Sequence, residues 1–167
     1  MKQVGIVLGS KSDTEIAEKA IGILQQFEVP FDVRILSAHR CPEEAKEYAS
    51  AAREGGFSVL IAFAGMAAHL AGALAANTTL PVIGVPCKGS CFDGMDALLS
   101  TVMMPSGIPV ATVAINGGAN AALLAIEMMA IEDAQLAEKL AAYRAKQTAG
   151  VLEADKEINA KYKANNN

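Results

Sequence analysis

The sequence predicts an α/β chain built as a three-layer sandwich: a doubly wound parallel sheet with helices on both faces and a long C-terminal helix. Three observations carry this. Short Val- and Ile-rich runs alternate with segments of helical period along most of the chain. Parallel pairing through right-handed crossovers is the usual outcome of such alternation. The final segment, from about residue 132 to 159, is charged and helical in pattern, with no strand after it.

The elements follow in order. Gln3–Leu8 is an apolar strand ending at Gly9. Ser12 is placed to cap the next helix, with Glu15 three residues on completing a capping box. That helix runs to about Phe27, with Ile16, Ala20, Ile23, Leu24 and Phe27 on one face, and Pro30 follows as a stop. Phe31–Leu36 is the second strand. Pro42, followed by Glu43 and Glu44, opens a helix that closes at Gly55-Gly56. Ser58–Ala64 is the third strand, and beyond Gly65 comes a helix of Ala, Leu and Gly. Pro81–Val85 and Ile108–Ile115 are the fourth and fifth strands, the latter after the turn Pro105-Ser106-Gly107. Helices are expected at Ala97–Val102 and Ala119–Met129, then from about Glu132 to Asn159. Residues 163–167 are expected to be a frayed tail. The 167 residues form one expected domain, 1–167, without repeat, linker or low-complexity segment.

The totals restrict the function classes. Hydrophobic residues make up 52% and charged residues 19%, and mean hydropathy is +0.29. A chain this apolar either enters a membrane or buries much of its surface against copies of itself. From Phe57 to Cys87 there is no Asp, Glu, Lys or Arg, and Val59–Ala76 is long enough to cross a bilayer. The run opens like a buried strand, however, breaks at Gly65, carries His69 and Gly72, and ends in the polar turn Asn77-Thr78-Thr79. It lacks the aromatic and basic flanks of a membrane span, so no membrane segment is expected and a homo-oligomer is. A net charge of −4 without a basic cluster argues against nucleic acid. Cysteines at 41, 87 and 91 form no disulfide framework, which fits a reducing cytoplasm. The first residues enter a strand pattern without a charged leader, so no signal peptide is expected.

In an open sheet of this kind the ligand sits at the carboxyl ends of the strands. Four loops lie there: Gly9–Asp13, Ser37–Pro42, Ala64–His69 and Pro86–Asp96. The first offers hydroxyls and backbone N–H groups at a helix N-terminus, suited to a phosphate or equally to a capped turn. It matches neither a P-loop nor the dinucleotide fingerprint. A flavin has few aromatics to lie against, and the first and third strands end in Gly9 and Gly65 rather than in a phospho-receiver's carboxylates. The second loop sets His39, able to pass a proton in either direction near neutrality, beside Arg40, a fork for phosphate or carboxylate. In the third, small residues admit a close ligand, and His69 stands open between ligand contact and core. The fourth, with Lys88, Ser90, Asp93 and Asp96 between Gly89 and Gly94, is a lid or a solvated loop. Met103-Met104 is read as core. Two histidines and scattered thiols match no zinc spacing, so no metal is expected.

Taken together, Gly9-Ser10-Lys11-Ser12-Asp13, Ser37-Ala38-His39-Arg40, Ala67-Ala68-His69-Leu70, Pro81–Pro86, Met104–Gly107 and Asn120–Ala125 resemble the N5-carboxyaminoimidazole ribonucleotide mutases of purine biosynthesis, relatives of aminoimidazole ribonucleotide carboxylase. The resemblance covers about Val4 to Ala130. It implies a flavodoxin-like subunit in a homo-octamer, active sites near subunit contacts, a C-terminal helix reaching a neighbour, and no metal, nucleotide or organic cofactor. It implies His39 as general acid and base. Ser10, Ser12, Asp13, Ser37 and Arg40 are the implied ribonucleotide contacts, with Arg40 and the serines on the phosphate and Asp13 on the ribose. Ala38, Gly65, Ala67, His69 and Leu70 complete the expected site. The branch that uses carbon dioxide directly carries Lys at the position of Arg40 and lacks the Ala-Ala-His-Leu segment. This chain departs from the commoner mutase pattern at Cys41, where Thr is usual, and at Ala71, where Pro is common. A direct carboxylase is the nearest rival, and a non-catalytic phosphoribosyl-binding module is the rival of another class.

Overall fold

Val4, Ile6, Val7 and Leu8 are almost wholly buried because β1 (Gln3–Leu8) is flanked on both sides in a parallel sheet. In the computed structural model, which describes residues 2–89 and 91–164, the strand order is β2-β1-β3-β4-β5. The partners are β2 (Phe31–Ile35), β3 (Phe57–Gly65), β4 (Val82–Cys87) and β5 (Ala111–Thr112). This is the flavodoxin-like order, whose direction of winding reverses between β1 and β3. Ile6 lies opposite Val33 on one side and Ile61 on the other, and Gly65 lies opposite Cys87. The three inner strands read as continuous apolar runs since both their faces are covered. Helices α1 (Thr14–Gln26), α2 (Pro42–Ala51), α3 (Leu70–Ala75), α4 (Met95–Val102) and α5 (Gly118–Ala130) fill the connections.

Packing explains the small residues. A Cβ on Gly84 would collide with Thr101 Cγ2 and lie 3.0 Å from Val110 Cγ1, so α4 sits directly on β4. A Cβ on Gly118 would strike the Ile16 carbonyl oxygen, which seats the start of α5 against α1. The core cluster joins Val7, Leu60 and Ala62 of the sheet to Ala45 and Ala49 of α2 and to Leu70 and Leu74 of α3.

Several expected boundaries are corrected. The capping box belongs to Ser10 and Asp13, not to Ser12 and Glu15, because a 3-10 turn over Lys11–Asp13 precedes α1. The fifth strand is two residues rather than eight. Only Ala111 and Thr112 pair with Ile83 and Gly84, since Pro109 has no N–H to give a ladder. Past β5 the chain still follows β4, with Val113 N donating to Gly84 O (3.1 Å) and Asn116 N to Pro86 O (2.8 Å). The helix beyond Gly65 begins only at Leu70.

The chain divides into two compact units at Met129/Ala130. The second holds α6 (Ala134–Ala164), 31 residues long. Asp133 Oδ1 accepts from Leu136 N at 3.0 Å and caps it. The helix outlasts its expected end at Asn159, with Lys161 and Lys163 placed to complement the C-terminal dipole. Lys163, expected in the tail, is therefore helical; residues 165–167 of that expected tail lie outside the described residues.

Candidate active site

The four loops meet at the carboxyl edge of the sheet, and hydrogen bonds tie them together. In the β1–α1 loop Gly9 N donates to Phe63 O at 2.8 Å. Ser10 N donates to Asp13 Oδ2 at 3.0 Å, and Ser12 N to Ser10 Oγ at 3.3 Å. The Asp13 residue is only 6% exposed. Burial pushes its carboxyl above the usual range, opposed by the Ser10 N–H, the Cys87 thiol, Ser12 and the Arg40 charge. Cys87, at the end of β4, is pushed up to about 12, first by burial and then by the Asp13 charge beside it, so it remains a thiol.

The β2–α2 loop is closed by its own backbone. Ser37 O accepts from Arg40 N (3.2 Å) and Cys41 N (2.9 Å), and Ser37 Oγ accepts from Arg40 N (3.3 Å). Cys41 occupies the N-cap position of α2 but makes no side-chain cap bond there. Its Sγ turns back instead, accepting from Ser37 N at 3.0 Å and lying 3.3 Å from Ser37 O. The sulfur thus closes the loop on the backbone of Ser37. Arg40 Nη2 donates to Gly9 O at 2.9 Å and joins this loop to the first. A guanidinium carries five donors, so this bond leaves others for an anion.

His39 and His69 are both exposed. Their side chains meet, His39 Nε2 to His69 Nδ1 at 2.8 Å, with ring planes at 89°. Gly65 opens the third loop where a Cβ would press on Cys87 O at 3.2 Å. Ala67 is exposed beside it. Leu70 is 2% exposed and part of the core cluster, so its side chain packs inward while its neighbour His69 faces the loops. Ala38 packs against the same cluster. The expected residues Ser10, Ser12, Asp13, Ser37, Arg40, His39, His69, Gly65 and Ala67 therefore share one edge, and Leu70 and Ala38 support it from behind.

The fourth loop is held by a residue the sequence reading passed over. Asn116, at φ 58, accepts from Lys88 N at 2.8 Å through its side chain. Asn116-Gly117-Gly118 after a strand is a turn signature that would have exposed it. In the sequence Cys87 stands out only as a thiol lacking disulfide or metal partners, and its place beside Asp13 depends on strand register. Lys88 Nζ pairs with Asp93 Oδ1 at 2.8 Å on the surface; Ser90 of the expected loop lies outside the described residues. Among the described residues no group of three or more His, Cys, Asp or Glu side chains could hold a metal ion.

The chain is similar to known proteins. Residues 3–150 match the family model described as AIR carboxylase. The N5-carboxyaminoimidazole ribonucleotide mutase of Pyrococcus abyssi is 53% identical over 86% of this chain and 83% of its own. The phosphoribosylaminoimidazole carboxylase of Saccharomyces cerevisiae is 51% identical over 89% of this chain but only 26% of that protein. Among solved structures, the crystal structure of Treponema denticola PurE superposes with a TM-score of 0.83 at 31% identity, covering 94% of this chain and 98% of that one. With a family model spanning most of its length and relatives at half identity, the chain belongs to the AIR carboxylase family.

Proposed function

We propose that the chain is an N5-carboxyaminoimidazole ribonucleotide mutase, an isomerase of purine biosynthesis that moves a carboxyl group from the exocyclic nitrogen to ring carbon 4. The observation that carries this reading is the Arg40–Gly9 bond, which sets the His39 loop against the serine-rich first loop. The mutase relative matches over most of its own length, whereas the carboxylase relative matches over a quarter.

Each group has a chemical assignment. Arg40, Ser10 and Ser12 bind the phosphate, with Ser37 beside them, and Asp13 takes the ribose hydroxyls. Carbon dioxide leaves the carbamate and is held against the small residues from Gly65 to Ala68. His39 donates a proton to the exocyclic nitrogen, carbon 4 bonds to the carbon dioxide, and His39 recovers the proton that carbon 4 loses. Confinement makes recapture outrun escape, since positioning supplies about 7–11 kcal/mol of a barrier. Acid–base transfer adds about 10²–10⁴-fold. No resident cofactor enters this scheme.

The working unit in this reading is a homo-oligomer, an octamer by the family resemblance, in the cytoplasm. In support, α4 turns Met95, Leu99 and Val102 outward, Met103 at its C-cap is exposed rather than in the core as its sequence suggested, and α6 leaves Val151, Leu152, Ile158 and Tyr162 exposed. Among the described residues no helix is long and apolar enough to cross a membrane.

The test is the ultraviolet change on mixing purified protein with the carbamate substrate, and separately with aminoimidazole ribonucleotide plus bicarbonate. Turnover of the carbamate without need of bicarbonate is expected. Preference for bicarbonate would make the chain a direct carboxylase, and binding without any spectral change would make it a binding module. His39→Asn should abolish turnover while the ribonucleotide still binds, and near-normal turnover would remove His39 from the chemistry.

A further inference from the structure

We propose that His69 is a positioning residue for His39: its Nδ1 accepts a hydrogen bond from His39 Nε2–H and so dedicates His39 Nδ1 to the proton exchanged with the substrate. The inference rests on the reaction proposed above and adds a partner and an atom to it.

At 2.8 Å the contact between the two imidazoles is a hydrogen bond, and it needs one donor and one acceptor. The rings are perpendicular with centroids 5.1 Å apart, so the pair is joined edge to edge rather than stacked. Which ring donates follows from the proton balance. In the forward direction the N–C bond of the carbamate breaks, its electron pair stays on nitrogen, and a proton passes from His39 to that nitrogen. The new bond from carbon 4 to carbon dioxide then forms, the C4–H bond breaks, its electron pair returns to the ring, and the proton passes to His39. His39 therefore alternates between imidazolium and imidazole, with no net proton gained or lost.

In the imidazolium both nitrogens are donors, so Nε2–H must face an acceptor. If His69 donated instead, the contact would set two N–H groups head to head at one stage of every cycle. With His69 neutral and protonated on Nε2, the bond survives both stages and only Nδ1 of His39 changes hands. The backbone holds His69 for this task. His69 N donates to Ala67 O and its carbonyl accepts from Ala73 N, each at 2.9 Å, as α3 begins. Its side chain makes no cap bond to that helix. The ring is thereby committed across to the loop of His39.

The experiment combines nitrogen-15 NMR of the histidine rings with kinetics of His69→Ala and His69→Asn in the full-length protein. An Asn Oδ1 takes the place of Nδ1 as acceptor, whereas Ala leaves none. In the wild-type protein, neutral His39 should carry its proton on Nε2. His69→Ala should lower kcat about 10–100-fold, the scale of loss when the orienting partner of a metal-ligating histidine is removed, with KM changed less than about threefold. His69→Asn should return kcat to within about fivefold of wild type. A His39 proton on Nδ1, an unchanged kcat in His69→Ala, or equal damage in both variants would each overturn the assignment. Should the wild-type protein turn over no carbamate, the function proposed above falls, and the NMR reading still decides where the His39 proton resides.

Discussion

Asp13 carries a conflict between folding and its proposed role in binding. Its carboxyl is buried, and burial outweighs the donors around it, leaving the group above the ordinary carboxylate range. A carboxyl whose native value lies above its unfolded value favours folding only while protonated. That contribution is full below about pH 4, the unfolded range, and is lost as pH rises through the raised native value. At neutral pH, where the unfolded carboxyl is ionised, the buried group therefore costs stability. Asp13→Asn keeps an acceptor for the Ser10 N–H and removes the charge. It should raise Tm at pH 7, the advantage shrinking as pH falls toward about 4, while ribonucleotide affinity drops at least about tenfold through the lost charge-assisted bonds. A Tm difference that is constant with pH would show that the charge is not the cause. Cys87 supplies a companion measurement. A thiol held up near 12 and buried does not react at pH 8, so iodoacetamide should spare it in the native protein and label it only on unfolding. Much of this scale was legible: Gly9, Ser10, Asp13, His39 and Arg40 all lie in loops that the alternation of strands and helices selects, and hydrogen bonds join those loops. The join of His39 to His69 was not, because 30 residues separate them and only the parallel crossover from β2 to β3 brings their loops together. Nor was Ser10 legible as the cap. The 3-10 turn that shifts the box by two residues leaves Ser12 looking equally competent in the sequence.

At the scale of elements, small residues decide the packing, and two glycines test it in opposite directions. Gly84 lies under α4 with Thr101 and Val110 against it. Gly84→Ala must separate α4 from β4, an overpacking that costs about 1–3 kcal/mol. Gly22 lies exposed in the middle of α1, with nothing within 4 Å of an added Cβ. Gly22→Ala should stabilise by about 0.5–1 kcal/mol through helix propensity alone. Urea midpoints should move in opposite senses, and a neutral Gly84→Ala would contradict the close seating of α4. The inner strands were readable within one or two residues because two-sided burial writes an unbroken apolar run. β5 was misjudged in length for the complementary reason. Ile108, Val110, Val113 and Ile115 have a strand's composition, but as an edge segment with Pro109 inside, only two residues form the ladder.

For the molecule as a whole, an apolar composition must be reconciled with an apolar surface. Hydrophobic residues form 52% of the sequence, yet α4 buries only its inner face, at Ala97 and Thr101, and exposes Met95, Leu99, Val102 and Met103. These four fall at i, i+4, i+7 and i+8, one stripe of the helix. Phe92 in the preceding loop is also exposed. A contiguous apolar patch of this kind marks a contact surface, and its place next to the fourth site loop fits the proposed assembly, whose active sites lie near subunit contacts. The double variant Leu99→Glu/Met103→Glu sets charges where a neighbour would pack, without touching the buried Ala97 and Thr101. Wild-type protein should sediment with the mass of eight chains. The variant should sediment as smaller species, keep its far-ultraviolet circular dichroism, and lose most of its turnover, as the proposed completion of the site at a subunit contact requires. Unchanged sedimentation would place the interface elsewhere, and wild-type protein sedimenting as a single chain would remove the assembly from the proposal. If the variant came apart yet kept full turnover, each subunit would be catalytically complete in itself. The apolar stripe of α4 would then serve assembly alone.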